Sequence, residues 1–145
     1  MDDRDNILYV CSLVEYIGRK TKNHRAEIVN AMGENGIQYQ LDFADVNHCL
    51  SFEQVSDEII EQYGIKEGDF DTVTDCQYTV PSFTDIGKVY RNLVISLQKG
   101  KTEAKTIFYV FSSFLSDAIS YFDSATYYQN DSYLLACYKA GTMLS

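Results

Sequence analysis

The heptapeptide IQYQLDF, Ile37–Phe43, decides the fold class. Its apolar residues Ile37, Tyr39, Leu41 and Phe43 alternate with Gln38, Gln40 and Asp42, which is the period of a half-buried strand. In the longer run IQYQLDFADVNHCL, the residues Ile37, Leu41, Ala44, Val46 and His48 fit either period. A lone strand is not stable, and no partner strands are evident elsewhere in the chain. The segment is therefore predicted to be a helix, and the fold all-α.

Outward from this segment the periodicity is helical almost everywhere. Upstream, Ile7, Val10, Cys11, Val14 and Ile17 recur at three- and four-residue spacing, one stripe of a helix that runs from Asn6 to about Gly18. A short helix is predicted in HRAEIVNAM, with Ile28, Val29 and Met32 inward and Gly33 as its C-terminal cap. Downstream, Ser51 and Gln54 form a capping-box pattern, Glu53 suits the first turn, and Gly64 marks the stop. Thr84 is predicted to cap a helix stopped by Gly100, and Thr102 to open the longest, central helix, reaching about Phe122. A last helix begins at Asp131 or Ser132 and ends at Gly141. The irregular segment near residues 65–83 carries the only proline, Pro81, and an extended arm is expected around Gln77 to Val80.

The prediction is about six helices in a compact bundle or orthogonal array. The chain has 145 residues and is read as one domain, 1–145, or as two sub-halves, 1–68 and 84–145, sharing one core. The N-terminus lacks the basic start and continuous apolar core of a signal peptide, and no run is long enough to span a membrane. A cytoplasmic protein is expected. Cys11, Cys49, Cys76 and Cys137 follow no metal or disulfide spacing and read as free thiols.

Charge is unevenly distributed along the chain. The net is −9; residues 1–80 hold sixteen acids and six bases, and residues 81–145 hold five acids and six bases. Between 42 and 75 there are ten acids against the single base Lys66. Such a face repels nucleic acid and membrane phosphates and suits a basic protein surface. The partner-binding residues predicted on it are Asp45, Glu53, Asp57, Glu58, Glu61, Asp69 and Asp71.

Chemistry-bearing patterns are sparse. His48 and Cys49 have the identities of a base and a nucleophile, but adjacent helical residues diverge by about 100° and do not face each other. His24 with one of the cysteines is an equally plausible pair. The run DFDTVTDCQYTV has acids at the first, third and seventh positions of a calcium loop but lacks its central glycine and terminal glutamate. Arg19, Lys20, Lys22, His24 and Arg25 form a basic run that either binds an anion or is a solvated turn offsetting the first helix's dipole. No phosphate-loop, dinucleotide or hydrolase signature occurs. No catalytic residue, metal or cofactor is assigned.

The N-terminal half, through ILYVCSLVEYIGRKTKNHRAEIVNAMGENGIQYQL and DVNHCLSFEQVSDEI, resembles a small bacterial domain family of unknown function. Members of that family are often encoded beside an ADP-ribosyltransferase-like toxin, so the resemblance implies an antitoxin or accessory role with a toxin as partner. The family's short members lack the helical half from Thr84 to Ser145. The expected function is a non-enzymatic, antitoxin-like or inhibitor-like interaction protein. A self-associating structural domain and a small cysteine-dependent enzyme are the alternatives.

Overall fold

The computed structural model describes residues 2–98 and 102–145. Among these there are eight α-helices, one 3-10 turn and no strand. The helices are α1 (Asp3–Thr21), α2 (Arg25–Asp42), α3 (Ala44–Asn47), α4 (Phe52–Tyr63), α5 (Phe83–Leu97), α6 (Glu103–Ser112), α7 (Phe114–Ile119) and α8 (Asp131–Ala140); the 3-10 turn is Thr126–Tyr128. No helix among the described residues is long and apolar enough to cross a membrane.

IQYQLDF is helical. Ile37, Leu41 and Ala44, spaced by four and three residues, are buried, and Tyr39 and Phe43 are left on the outside. The predicted break at Gly33 is present as one residue with φ 70° and ψ 171°, which joins segments 25–32 and 34–42 end to end. The capping box at Ser51 forms as expected: Ser51 Oγ accepts from Gln54 N at 3.1 Å, and Gln54 Oε1 accepts from Ser51 N at 3.1 Å. Gly64 closes α4 in the left-handed region. Asn130 caps α8, accepting from Tyr133 N, and Gly141 ends it.

Eight helices replace the expected six or so for local reasons. The predicted central helix from Thr102 to Phe122 is broken at Ser113, whose backbone is extended (φ −76°, ψ 161°). Ser113 Oγ donates to the Val110 carbonyl at 2.7 Å and Ser116 Oγ donates to the Ser113 carbonyl, so side chains take acceptors that the helix ladder would use. The longest helix is α1, and it begins three residues earlier than predicted because Asp2 caps it, accepting from Asp5 N at 2.9 Å. Ser82, rather than Thr84, caps α5 by accepting from Asp85 N. No extended strand forms at 77–80. The stop expected at Gly100 lies outside the described residues.

α1 lies along α5, and α2 along α6; α1 also packs on α2 and α4, and α8 covers α5. The buried apolar side chains of these helices join one cluster from Ile7 to Cys137. Burial of that cluster, at about 25 cal/mol per Å² of apolar surface, is the main force holding the helices together. The stretch 65–82 has no regular element but is tied to the α1–α2 turn: Gly68 N and Phe70 N donate to the carbonyls of Thr21 and Lys22, each at 2.8 Å, and Asn23 Nδ2 donates to the Lys66 carbonyl.

Candidate functional site

The helical reading of residues 37–43 creates a surface as well as a core. Tyr39, Phe43, Val46 and Leu50, spaced by four, three and four residues across the end of α2, α3 and the turn after it, are 53%, 42%, 66% and 41% exposed. The Tyr39 and Phe43 rings meet at 4.5 Å and 30°. The backbone under the row is fixed: Asn47 Nδ2 donates to Gln40 Oε1, His48 N to the Ala44 carbonyl and Leu50 N to the Asn47 carbonyl. Asp42, Asp45 and Glu53 are exposed beside it in sequence. Between Arg25 and Lys66 the chain has eight acids and no lysine or arginine.

The predicted acidic residues divide into groups with different work. Glu53, Asp57 and Glu61 follow one another at four-residue intervals on the exposed side of α4, with Glu58 also exposed. Asp57 Oδ1 accepts from Lys20 Nζ at 2.6 Å, and that hydrogen bond raises the lysine's pKa. Burial, then Glu58, raises that of the Tyr9 phenol. Asp45 and Asp69 are exposed. Asp71 is committed to its own loop: its Oδ1 accepts from Val73 N and Thr74 N, both at 3.0 Å, and hydrogen bonds from Thr74 and then Val73 hold its carboxyl at about 2. It therefore fastens the loop.

The basic run is solvated at Lys20, Lys22 and His24 but not at its last residue. Arg25 is wholly buried, and its partner is Glu15, also wholly buried, in the middle of α1. Arg25 Nε and Nη2 donate to Glu15 Oε1 and Oε2 at 3.0 and 2.8 Å; Arg19 Nε donates to Oε2 at 2.7 Å and Ser120 Oγ to Oε1 at 2.7 Å. Arg25 also donates to the Asn23 carbonyl and to Thr72 Oγ1. Tyr90, stacked on Phe111 at 4.1 Å, makes a 2.6 Å hydrogen bond to Ser120. One carboxylate thus joins α1, the start of α2, the irregular segment, α5 and the end of α7.

Burial alone raises the Glu15 pKa, but Arg25 and then Arg19 outweigh it and the net shift is downward. For Arg25, burial lowers the pKa and Glu15 more than restores it. Both therefore stay charged. Gly18 makes room for the pair, since a Cβ there would lie 2.3 Å from Arg25 Cδ. The sequence signal for this network was Glu15 within an apolar stripe with Arg19 four residues on.

His48 and Cys49 are both exposed on the turn before α4. His24 Nδ1 instead lies 2.8 Å from Asp117 Oδ1, and its ring stacks on Phe70 at 4.1 Å. Cys11 and Cys137 are buried, Cys76 is half-buried, and all four cysteines are free; burial raises the Cys11 thiol far above its ordinary range. Among the described residues no three His, Cys, Asp or Glu side chains gather as a metal site would require. No protein-family model, curated protein or solved structure matches the chain.

Proposed function

We propose that this chain is a non-enzymatic interaction protein that docks a basic protein partner on the row Tyr39, Phe43, Val46 and Leu50 and the carboxylates around it, in the manner of an antitoxin or an inhibitor of a nucleic-acid-binding enzyme. The observation that carries this reading is the exposure of four large apolar side chains in a stretch with eight acids and no lysine or arginine. Aromatic and aliphatic anchors hold a partner by excluding water, and charge around them selects the partner and speeds encounter. A second copy of the chain is the poorer occupant, because it would bring like carboxylates together. Of the predicted acids, Asp45, Glu53, Glu58 and Glu61 supply the selecting charge, and Asp57 is partly offset by Lys20.

The test is capture of partners from the source cell by the wild-type chain and by the double variant Tyr39→Ser, Phe43→Ser, at low salt and at about 0.5 M salt, where the screening length is roughly 4 Å. The expected result is a basic protein retained by wild type and lost with the variant or at high salt. Equal capture by both chains, or capture indifferent to salt, counts against the reading. Sedimentation of the isolated chain addresses self-association: a mass that rises with concentration and falls back to monomer in the double variant replaces the basic partner with a second copy.

A further inference from the structure

We infer that the hollow between the irregular segment and the 3-10 turn is a receptor for the guanidinium of an arginine side chain. The hollow has a volume of about 430 Å³, and its walls include Tyr78, Phe122, Asp123, Tyr127 and Tyr128. That volume lies within the ordinary range for small-ligand sites. Tyr78 and Tyr128 are 64% and 79% exposed, so the hollow is open to solvent, whereas Phe122 is buried and forms its floor.

The rings are arranged around one another. Tyr127 meets Phe122 edge-on, at 5.8 Å and 86°, and Tyr128 lies against Tyr127 at 4.4 Å. Asp123 is held in place because its Oδ1 accepts from Gln77 N at 2.8 Å, a contact that crosses from one wall to the other. Among the described residues no lysine or arginine lines the hollow. Aromatic faces are negative and attract cations, and a carboxylate beside them repels anions and attracts the same cations. A planar guanidinium stacks on a ring while donating in its plane to a carboxylate, which an ammonium does not do.

The molecule already uses this chemistry at the same ring. Arg19 places its guanidinium carbon 4.6 Å from the Phe122 ring centroid and donates to the Glu15 carboxylate at 2.7 Å. The hollow repeats the combination of ring and carboxylate outside, with Asp123 in the place of Glu15. The inference rests on the proposed function only for the source of the arginine, a basic partner. Arg19 lies in the last turn of α1, next to the start of α2, and the Tyr39–Leu50 row begins near the end of α2. The hollow, lined by residues 78–79 and residues from 122 to 128, shares no residue with the row, which makes the failures of the two sites distinguishable.

The experiment is a heteronuclear NMR titration of the full chain with N-acetyl-arginine-N′-methylamide at low salt, beside the corresponding lysine and citrulline compounds. Arginine is expected to produce saturable shifts at the amides of 78–79 and 123–128, with a dissociation constant on the order of 1 mM for an isolated side chain. Lysine should bind several-fold more weakly, and uncharged citrulline should shift nothing. Asp123→Asn keeps an oxygen for Gln77 N and should weaken arginine binding about tenfold; Phe43→Ser should leave it unchanged. An absence of shifts at these amides, equal shifts with citrulline, or full affinity in Asp123→Asn overturns the inference, even where the basic partner is still captured. Retention of arginine binding by a chain whose row variants still capture the partner overturns the row as the docking surface and leaves the hollow standing.

Discussion

Glu15 and Arg25 have no exposed surface, and Tyr39, Phe43, Val46 and Leu50 are between 41% and 66% exposed. Two segments of one small helical protein thus reverse the usual distribution, with charge inside one and hydrocarbon outside the other. The reversal inside is satisfied at its carboxylate: every oxygen of Glu15 has two donors, although Arg19 Nη2 is buried without a hydrogen-bond partner. Its members depend on each other, because removing one strands the rest away from water. The reversal outside is unsatisfied, since apolar surface left in water gains from being covered. The first belongs to the fold, and the second is the surface on which the proposed partner would dock.

The sharpest way to break this comparison is Arg25→Ala. It leaves Glu15 buried with one of its two cations and opens a void between α1 and the irregular segment, so a loss of about 3–5 kcal/mol in unfolding free energy is expected by denaturant titration. A loss under about 1 kcal/mol would mean that water reaches the carboxylate and that the inner reversal is not a dependent unit. Gly18→Ala follows in size. Its methyl would meet Arg25 Cδ at 2.3 Å, and either the guanidinium or the helix must shift, at a cost of about 1–3 kcal/mol despite alanine's better helix propensity. The combination with Arg25→Ala should cost less than the sum, because the obstruction is then gone.

Acid sharpens the same point. The folded pKa of Glu15 lies below its unfolded value, about 4.3. Its contribution to stability is therefore complete above that pH and is lost as pH falls through the folded value, where the native state must take up the proton. Glu15→Gln removes this titration. Stability measured from about pH 5 downward should fall less steeply in the variant, by up to about 1.4 kcal/mol per pH unit. Asp71, held at about 2 by its loop, titrates in both proteins and cancels from the difference.

The helices were legible where side chains act on their own backbone, as at Ser51, Gln54, Gly64, Thr102 and Gly141. Two features were hidden, one by a non-local cause and one by a local one. Glu15 and Arg25 are ten residues apart on different helices, and nothing in local periodicity says that their side chains meet or that Ser120 closes the group from the far end of the chain. The break at Ser113 was hidden because the apolar stripe runs through it unchanged, while two serine hydroxyls redirect the backbone's hydrogen bonds. For the predicted acidic residues other than the half-buried Asp71, exposure was legible from charge alone. The loop duty of Asp71 and the pairing of Asp57 with Lys20 were not, because each depends on which chain segment passes nearby.

The smallest expected effect lies on the outer row and is the one that separates its two possible roles. Val46 is 66% exposed on a four-residue helix, so Val46→Ser removes little buried surface and should change unfolding free energy by no more than about 0.5 kcal/mol. Tyr39→Ser additionally gives up a ring contact with Phe43 and should cost about 1 kcal/mol. Both are small beside Arg25→Ala, yet both should weaken partner capture more than they weaken the fold. If Val46→Ser instead destabilised the isolated chain by more than about 1.5 kcal/mol, Val46 would be part of the core's cover and the outer reversal would be packing. A near-silent substitution in the fold that abolishes capture is the pattern expected of a surface built for another molecule, because a side chain that contributes nothing to its own helix leaves only its contact with the partner to lose.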